Sequence, residues 1–139
     1  MPELRHRELT FEIIGAAMEV HRVLGPGFLE SLYQRGIEAE LRCRSVPFES
    51  QKRIDVKYRG DSLGEHVLDL VVDGKVVVEL KAVKDLTDQH QSQIISYLKA
   101  SGLQISLLIN FARPSLEHRR ILLKDALSPP NPLNPLNPL

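Results

Sequence analysis

The sequence predicts an α/β fold, and three observations carry that prediction. Two β-branched runs, 67–72 and 76–81, meet at Asp73-Gly74, the mark of a hairpin. Downstream, a helical period is followed by a second apolar run, Ile105-Ser106-Leu107-Leu108-Ile109, that reads as a buried strand. A strand, a helix and a strand in that order join a sheet as parallel neighbours through a right-handed crossover. At 139 residues the chain is long enough for one sizeable core.

In chain order, Ile13, Ile14, Ala17, Val20 and Leu24 set a helical period from about Leu9 to Leu24, which Gly25-Pro26-Gly27 stops. A second helix, about Leu29 to Arg42, carries Leu29, Leu32, Tyr33, Gly36, Ile37 and Leu41 on one side. Pro47 marks a boundary. Ile54, Val56 and Tyr58 then alternate with Arg53, Asp55 and Lys57, giving a first strand with one polar face. Arg59-Gly60-Asp61 reads as the turn before the central hairpin. A third helix is expected from Asp88 to Ser101, with Asp88 as N-cap, Gln91 three residues on, and Gly102 at its C-terminal stop. Arg119 to Leu123 suits an edge strand or a short helix. Residues 1–127 thus form the expected domain. Ser128 to Leu139 repeats Asn-Pro-Leu three times, and proline at every third position blocks helix and ladder alike, so a disordered, extended tail is expected there.

Acidic and basic residues balance at 18 each, which excludes a global field drawing the chain to nucleic acid; such binding needs a local patch. The single cysteine, Cys43, excludes an internal disulfide and fits a reducing, cytoplasmic setting. The N-terminus leads into an amphipathic segment rather than a signal peptide. No apolar run approaches the roughly 20 residues of a membrane span, so no membrane partner is expected.

The hairpin holds three charges in an apolar fabric: Asp69, Glu79 and Lys81. Successive strand side chains point to opposite faces, so odd and even positions separate. Leu68, Leu70 and Val72 share a face with Val76, Val78 and Leu80 only if the loop has an odd number of residues. Three residues with Gly74 in the left-handed conformation would satisfy this. The other face then gathers Asp69, Glu79 and Lys81. Two carboxylates on adjacent strands can hold a hard divalent cation such as Mg²⁺. Lys81 faces the same way and could orient or deprotonate a water, or stabilise charge on a phosphate under attack. The competing reading is a solvated face with a Glu-Lys pair. Val67, Val71 and Val77 on that face argue against it, because a solvated face is rarely so apolar, and a buried carboxylate there is costly unless paired or metal-bound.

These residues also resemble a known family. Gly27-Phe28-Leu29-Glu30-Ser31-Leu32-Tyr33 resembles the signature of the GxxExxY proteins, within the wider PD-(D/E)XK nuclease-like superfamily. Asp69 followed by Glu79-Leu80-Lys81 resembles the superfamily's core motif, with Leu68 in place of the proline. Gln93-Ile94-Ile95-Ser96-Tyr97 resembles the QxxxY element of its helicase-associated and exonuclease branches. The resemblance runs from about Leu9 to Leu123. It implies a restriction-endonuclease-like core, a mixed central sheet flanked by helices, that cuts phosphodiester bonds with Mg²⁺ or Mn²⁺. Asp69 and Glu79 would carry the metal, the Leu80 carbonyl would be a further ligand, and Lys81 would serve the water and the scissile phosphate.

The same resemblance brings further residues into question. Glu30 stands in the first turn of its helix, where the dipole alone favours a carboxylate, and the family signature adds a role at the metal. His21 is either a metal ligand, as the resemblance implies, or a packed, hydrogen-bonded histidine on the edge of an apolar stripe. Gln93 and Tyr97 lie one helical turn apart on one face. They form either a polar flank or, as the resemblance implies, contacts to the nucleic-acid backbone that position the site. His90 could join that face, whereas Tyr33 at its stripe position reads as core. Lys52, Arg53, Lys57 and Arg59 are either a solvated strand face or a phosphate-tracking patch; Arg119 and Arg120 are a second such candidate. The leading expectation is a metal-dependent nuclease acting on nucleic acid, DNA ahead of RNA. The alternative is a non-catalytic nucleic-acid-binding or protein-interaction module on the same fold. The chain lacks the extra domain that usually supplies specificity, so a protein partner or a second copy of the chain is a further expectation.

Overall fold

The computed structural model describes residues 6–123; the Asn-Pro-Leu tail lies outside them. The elements are α1 (Arg7–Leu24), α2 (Glu30–Cys43), β1 (Phe48–Tyr58), β2 (Asp61–Val72), β3 (Val76–Lys81), α3 (Asp88–Ser101), β4 (Ile105–Asn110) and β5 (Glu117–Leu122). The strands form one mixed sheet in the order β1-β2-β3-β4-β5. Only the β3–β4 pair is parallel, with α3 as the connection between them. No helix among the described residues is long and apolar enough to cross a membrane.

Helices cover both faces of the sheet. Ile13, Ala16, Ala17 and Val20 of α1 and Tyr33, Ile37 and Leu41 of α2 pack on Leu70, Val72, Val76, Val78, Leu80, Ile105, Leu107 and Ile109. On the other face Ile94, Tyr97 and Leu98 of α3 pack on Val71, Val77, Leu108 and Ile121. β3 and β4 are buried on both sides, which is why both read as nearly unbroken apolar runs.

The central hairpin has the expected three-residue loop, since Val72 pairs with Val76 and Leu70 with Val78. Gly74 is left-handed at φ 64°, and Asp73 before it is left-handed too, at φ 52°. The predicted face of Leu68 is corrected. It packs with Val71, Val77 and α3, opposite to Leu70. The physical reason lies in the neighbouring strand. Gln51 of β1 adopts φ 51°, and the ladder passes over the Gln51–Asp69 pair although the register is unchanged on either side. In β1, Phe48 packs against the α1/α2 layer and Ile54 against the α3 layer, so the pleat reverses in both strands at that pair. Val67 is accordingly exposed rather than part of the Val71–Val77 surface.

β1 begins at Phe48, directly after Pro47, and β2 at Asp61, so the two strands form a ribbon longer than the alternation suggested. The N-cap of α3 is Thr87 rather than Asp88: its hydroxyl accepts from the His90 N–H at 3.3 Å, while His90 Nδ1 accepts from the Thr87 N–H at 3.0 Å. The competing hydroxyl sits one residue earlier than the carboxylate that the spacing favoured. His90 therefore serves the cap. Gly102 ends α3 in the left-handed conformation, as expected. The last candidate element is an edge strand, antiparallel to β4.

Gly36 lets α2 approach α1: a Cβ there would stand 2.9 Å from Val20 Cγ1. Alanine in a helix interior normally gains about 0.5–1 kcal/mol over glycine. Here the added methyl group meets a short, β-branched, buried side chain, and overpacking costs about 1–3 kcal/mol. Gly36→Ala should therefore lower the urea midpoint rather than raise it; a higher midpoint would show that the helices part without cost.

Candidate active site

The reversal at Gln51–Asp69 brings a carboxylate out of the regular ladder and turns it toward β3. Asp69 Oδ2 accepts a hydrogen bond from the Leu80 N–H at 2.8 Å. Next to it Glu79 is 5% exposed, and its Oε1 is buried without a hydrogen-bond partner. The two carboxyl groups act directly on each other's proton affinity. Lys81 Nζ stands 3.6 Å from Glu79 Oε2 and 3.4 Å from Gln93 Oε1. The hairpin thus brings together Asp69, Glu79 and Lys81, and α3 adds Gln93.

Burial dominates the electrostatics. It pushes the Glu79 carboxyl up to about 8, and the Asp69 charge pushes in the same direction against the pull of Lys81. Asp69 is also raised by burial, with the Leu80 N–H opposing. Glu30, at the start of α2, is raised first by partial desolvation and then by Asp69, although much of its surface is open. It borders the same cleft as Asp69, together with Ser31, Gln34, Arg35 and Gln51. Tyr97 is nearly buried in the α3 layer, edge-on to His66 at 4.7 Å between ring centroids. Burial first, then Glu79 and Asp69, raise its hydroxyl to about 12. That hydroxyl keeps its proton and lies within electrostatic reach of both carboxyl groups.

A divalent cation fits this donor set. An unpartnered buried carboxylate oxygen beside a second carboxyl group is costly as it stands, and a cation would relieve both the desolvation and the mutual repulsion. Among the described residues no three His, Cys, Asp or Glu side chains converge into a ligand set. Two carboxylates suffice for Mg²⁺, which keeps waters and takes oxygen from its substrate.

Other candidates stand elsewhere. His21 donates from Nε2 to the Arg113 carbonyl at 2.9 Å and lies against Phe111, so it is the packed histidine of the two alternatives and is not brought into the cluster. Tyr33 is fully buried and stacked on Phe111; its hydroxyl donates to the Gly25 carbonyl and accepts from the Phe28 N–H at 3.1 Å. It thereby fixes the turn that delivers Glu30. Of the four strand cations, Lys52 pairs with Glu49 at 2.8 Å, Arg53 with Glu65 at 3.0 Å, and Arg59 lies over the Tyr58 ring. Lys57 lines a separate hollow with His66 and Lys99.

Sequence reasoning missed Gln34, Glu38, Ser50 and Gln51. Gln34 Nε2 donates both to the Asp69 carbonyl and to Glu38 Oε2, each at 2.8 Å. A signal existed: Glu30, Gln34 and Glu38 recur every fourth residue, a polar stripe on one face of α2.

Residues 7–121 match the family model described as the PD-(D/E)XK nuclease superfamily. No curated protein matches the chain. Among solved structures, the crystal structure of SSO0001 is similar with a TM-score of 0.56 at 16% identity, over 86% of this chain and 58% of that chain. This chain therefore spans little more than half of that protein's length, and the likeness is one of fold. LHK-Exo in complex with dAMP follows at a TM-score of 0.47 and 15% identity, covering 83% of this chain and 75% of that one. An alkaline exonuclease (LHK-Exo) from Laribacter hongkongensis gives 0.40 and 19%, over 81% and 69%. The family match begins with α1 and ends inside β5, so it takes in every element from which the site is built, and the chain belongs to the PD-(D/E)XK nuclease superfamily.

Proposed function

We propose that the protein is a metal-dependent nuclease that hydrolyses phosphodiester bonds in DNA or RNA, with the site at Asp69, Glu79 and Lys81. The observation that carries this reading is the buried, unpartnered oxygen of Glu79 beside Asp69. The ion pair with Lys81 reaches only Oε2 and leaves Oε1 buried without a partner, so it does not by itself account for a carboxylate at this position. Family membership supports the nuclease activity, and Gly27–Tyr33 supports a place in the GxxExxY branch.

Asp69 and Glu79 would hold Mg²⁺ or Mn²⁺, with the Leu80 carbonyl as a further oxygen donor and Glu30, on the same cleft as Asp69, reaching the ion through a bound water. Bound there, the ion supplies Lewis-acid polarisation of a phosphoryl oxygen and a more acidic water. Lys81, held between Glu79 and Gln93, presents an ammonium to the charge that develops on the phosphate. Tyr97, with its proton retained, is a donor toward the same group, and Gln93 fixes Lys81 from the side of α3. Lys52, Arg53, Lys57 and Arg59 on the ribbon would meet flanking phosphates. Their existing ion pairs make this a weaker contribution than their number suggests.

Cleavage of single- and double-stranded DNA and RNA should require Mg²⁺ or Mn²⁺. Glu79→Gln keeps the shape, removes one ligand charge and should abolish it. Lys81→Ala should bind metal but cleave about 10²–10³-fold more slowly, the usual cost of one preorganised charge-stabilising group. Cleavage that survives Glu79→Gln points to another site. Metal-independent binding of nucleic acid with no cleavage of any substrate would establish the non-catalytic module instead.

Stability should report the same site. Glu79 titrates at about 8 when folded, against 4.5 for the ordinary carboxyl. Between these values the folded chain keeps a proton that the unfolded chain has lost, so metal-free stability falls as pH rises from about 5 to 8. Glu79→Gln removes that loss, and its metal-free Tm at pH 8 should exceed that of the wild type. Mg²⁺ should raise the wild-type Tm at pH 8 and leave the variant nearly unchanged. Thermal scans at pH 5 and pH 8 decide it; a wild-type Tm that climbs across this range without metal contradicts the assignment.

A further inference from the structure

We infer that Gln34 is a positioning residue that aims Asp69 at the metal, with Glu38 and Ser50 holding Gln34 in place. The inference rests on the nuclease reading above.

Asp69 needs such a support because of where it sits. Ordinary strand residues are fixed by ladder pairs on both sides, yet the ladder passes over Asp69 on the β1 side, and the β2–β3 pairing stops at Leu70–Val78. Gln51, its would-be partner, is left-handed. Contacts from outside the ladder stand in: the Leu80 N–H on the carboxylate and the Gln34 amide on the carbonyl, each at 2.8 Å, with the Gln51 side chain also acting on the carboxylate. The first clamps the side chain and the second clamps the peptide that carries it.

Gln34 is itself oriented. Its Nε2 also donates to Glu38 Oε2 at 2.8 Å, so the amide nitrogen is committed to both partners. Glu38 is 9% exposed and is not part of the Asp69–Glu79 pair. A nearly buried carboxylate needs partners, and it has them: the Ser50 hydroxyl donates at 2.6 Å, and Arg42 stands at 3.8 Å. Ser50 lies next to Gln51 on β1, so the chain Ser50–Glu38–Gln34–Asp69 spans the reversal from one strand to the next by way of α2. Packing alone would be served by an apolar side chain at position 34. Orientation of a metal-binding carboxylate would not, and losing such a supporting contact typically costs about 10–100-fold in metal affinity or activity.

The experiment titrates Mn²⁺ into the metal-free, full-length protein by calorimetry without nucleic acid, and measures cleavage across a Mn²⁺ series in parallel. Gln34→Met keeps length and bulk but has no donor. It should bind Mn²⁺ about 10–100-fold more weakly and reach half-maximal cleavage at a correspondingly higher Mn²⁺ concentration. Glu38→Ala should weaken Mn²⁺ in the same direction, and Glu38→Gln, whose amide oxygen can still accept from Gln34, should restore most of it. Mn²⁺ affinity within twofold of wild type in Gln34→Met overturns the inference while leaving the nuclease reading intact. Should Gln34→Met fail to fold, equal Mn²⁺ affinities in Glu38→Ala and Glu38→Gln overturn it. A wild type that neither binds Mn²⁺ nor cleaves any substrate overturns the nuclease reading, and this inference falls with it.

Discussion

Like charges held together in a dry place have to be compensated, and much of this molecule is arranged around one such pair. Asp69 and Glu79 are brought side by side by a hairpin whose neighbouring positions, Leu68, Leu70, Val71, Val77, Val78 and Leu80, are apolar and buried. Lys81 supplies one positive charge, and the Leu80 N–H supplies one hydrogen bond. The remaining deficit shows in the raised Glu79 carboxyl and its orphaned oxygen. A sheet selected for stability alone would place valine or isoleucine there, as it does at Val77 and Val78. The site is thus a local breach of the rules that build the rest of the core, as functional sites commonly are.

Strand parity and the loop length at Gly74 act over neighbouring residues, and they made Glu79 and Lys81 legible as neighbours on one face. Asp69 meets them through the reversal at its own pair with Gln51, which alternation does not foresee. The third helix and the parallel strand after it were legible for the same local reason. Leu68 was not, since the face it takes depends on the backbone of Gln51, a residue seventeen positions earlier on another strand. Nor was the role of His21, which is settled by the Arg113 carbonyl ninety-two residues away. Gln34 and Glu38 form a visible stripe, but nothing in that stripe says which carbonyl of which strand it will meet. What eluded the sequence is contact across the chain, and what it disclosed is chemistry written within one turn or one hairpin.

α2 shows how closely packing and site are interwoven. One side of it, Tyr33, Ile37 and Leu41, is sealed into the core. The adjacent stripe, Glu30, Gln34 and Glu38, lines the cleft beside Asp69. Tyr33 joins the two, because its ring is core and its hydroxyl ties down the Gly25–Phe28 turn that sets the helix start. Shifts in the core beneath α2 therefore reach the cleft without any side chain of the site being touched.

The β1–β2 ribbon has a consequence of another kind. Lys52 and Arg53 are already neutralised by Glu49 and Glu65 of the same ribbon. A phosphate approaching such a surface displaces a tethered carboxylate instead of liberating mobile ions from the solvent. The favourable entropy of counterion release, which makes most protein–nucleic acid complexes so sensitive to ionic strength, is then set against the loss of those internal pairs. Recognition by this face would draw less on long-range attraction and more on the shape of the ribbon itself, whose two strands run to an exposed tip at Arg59-Gly60.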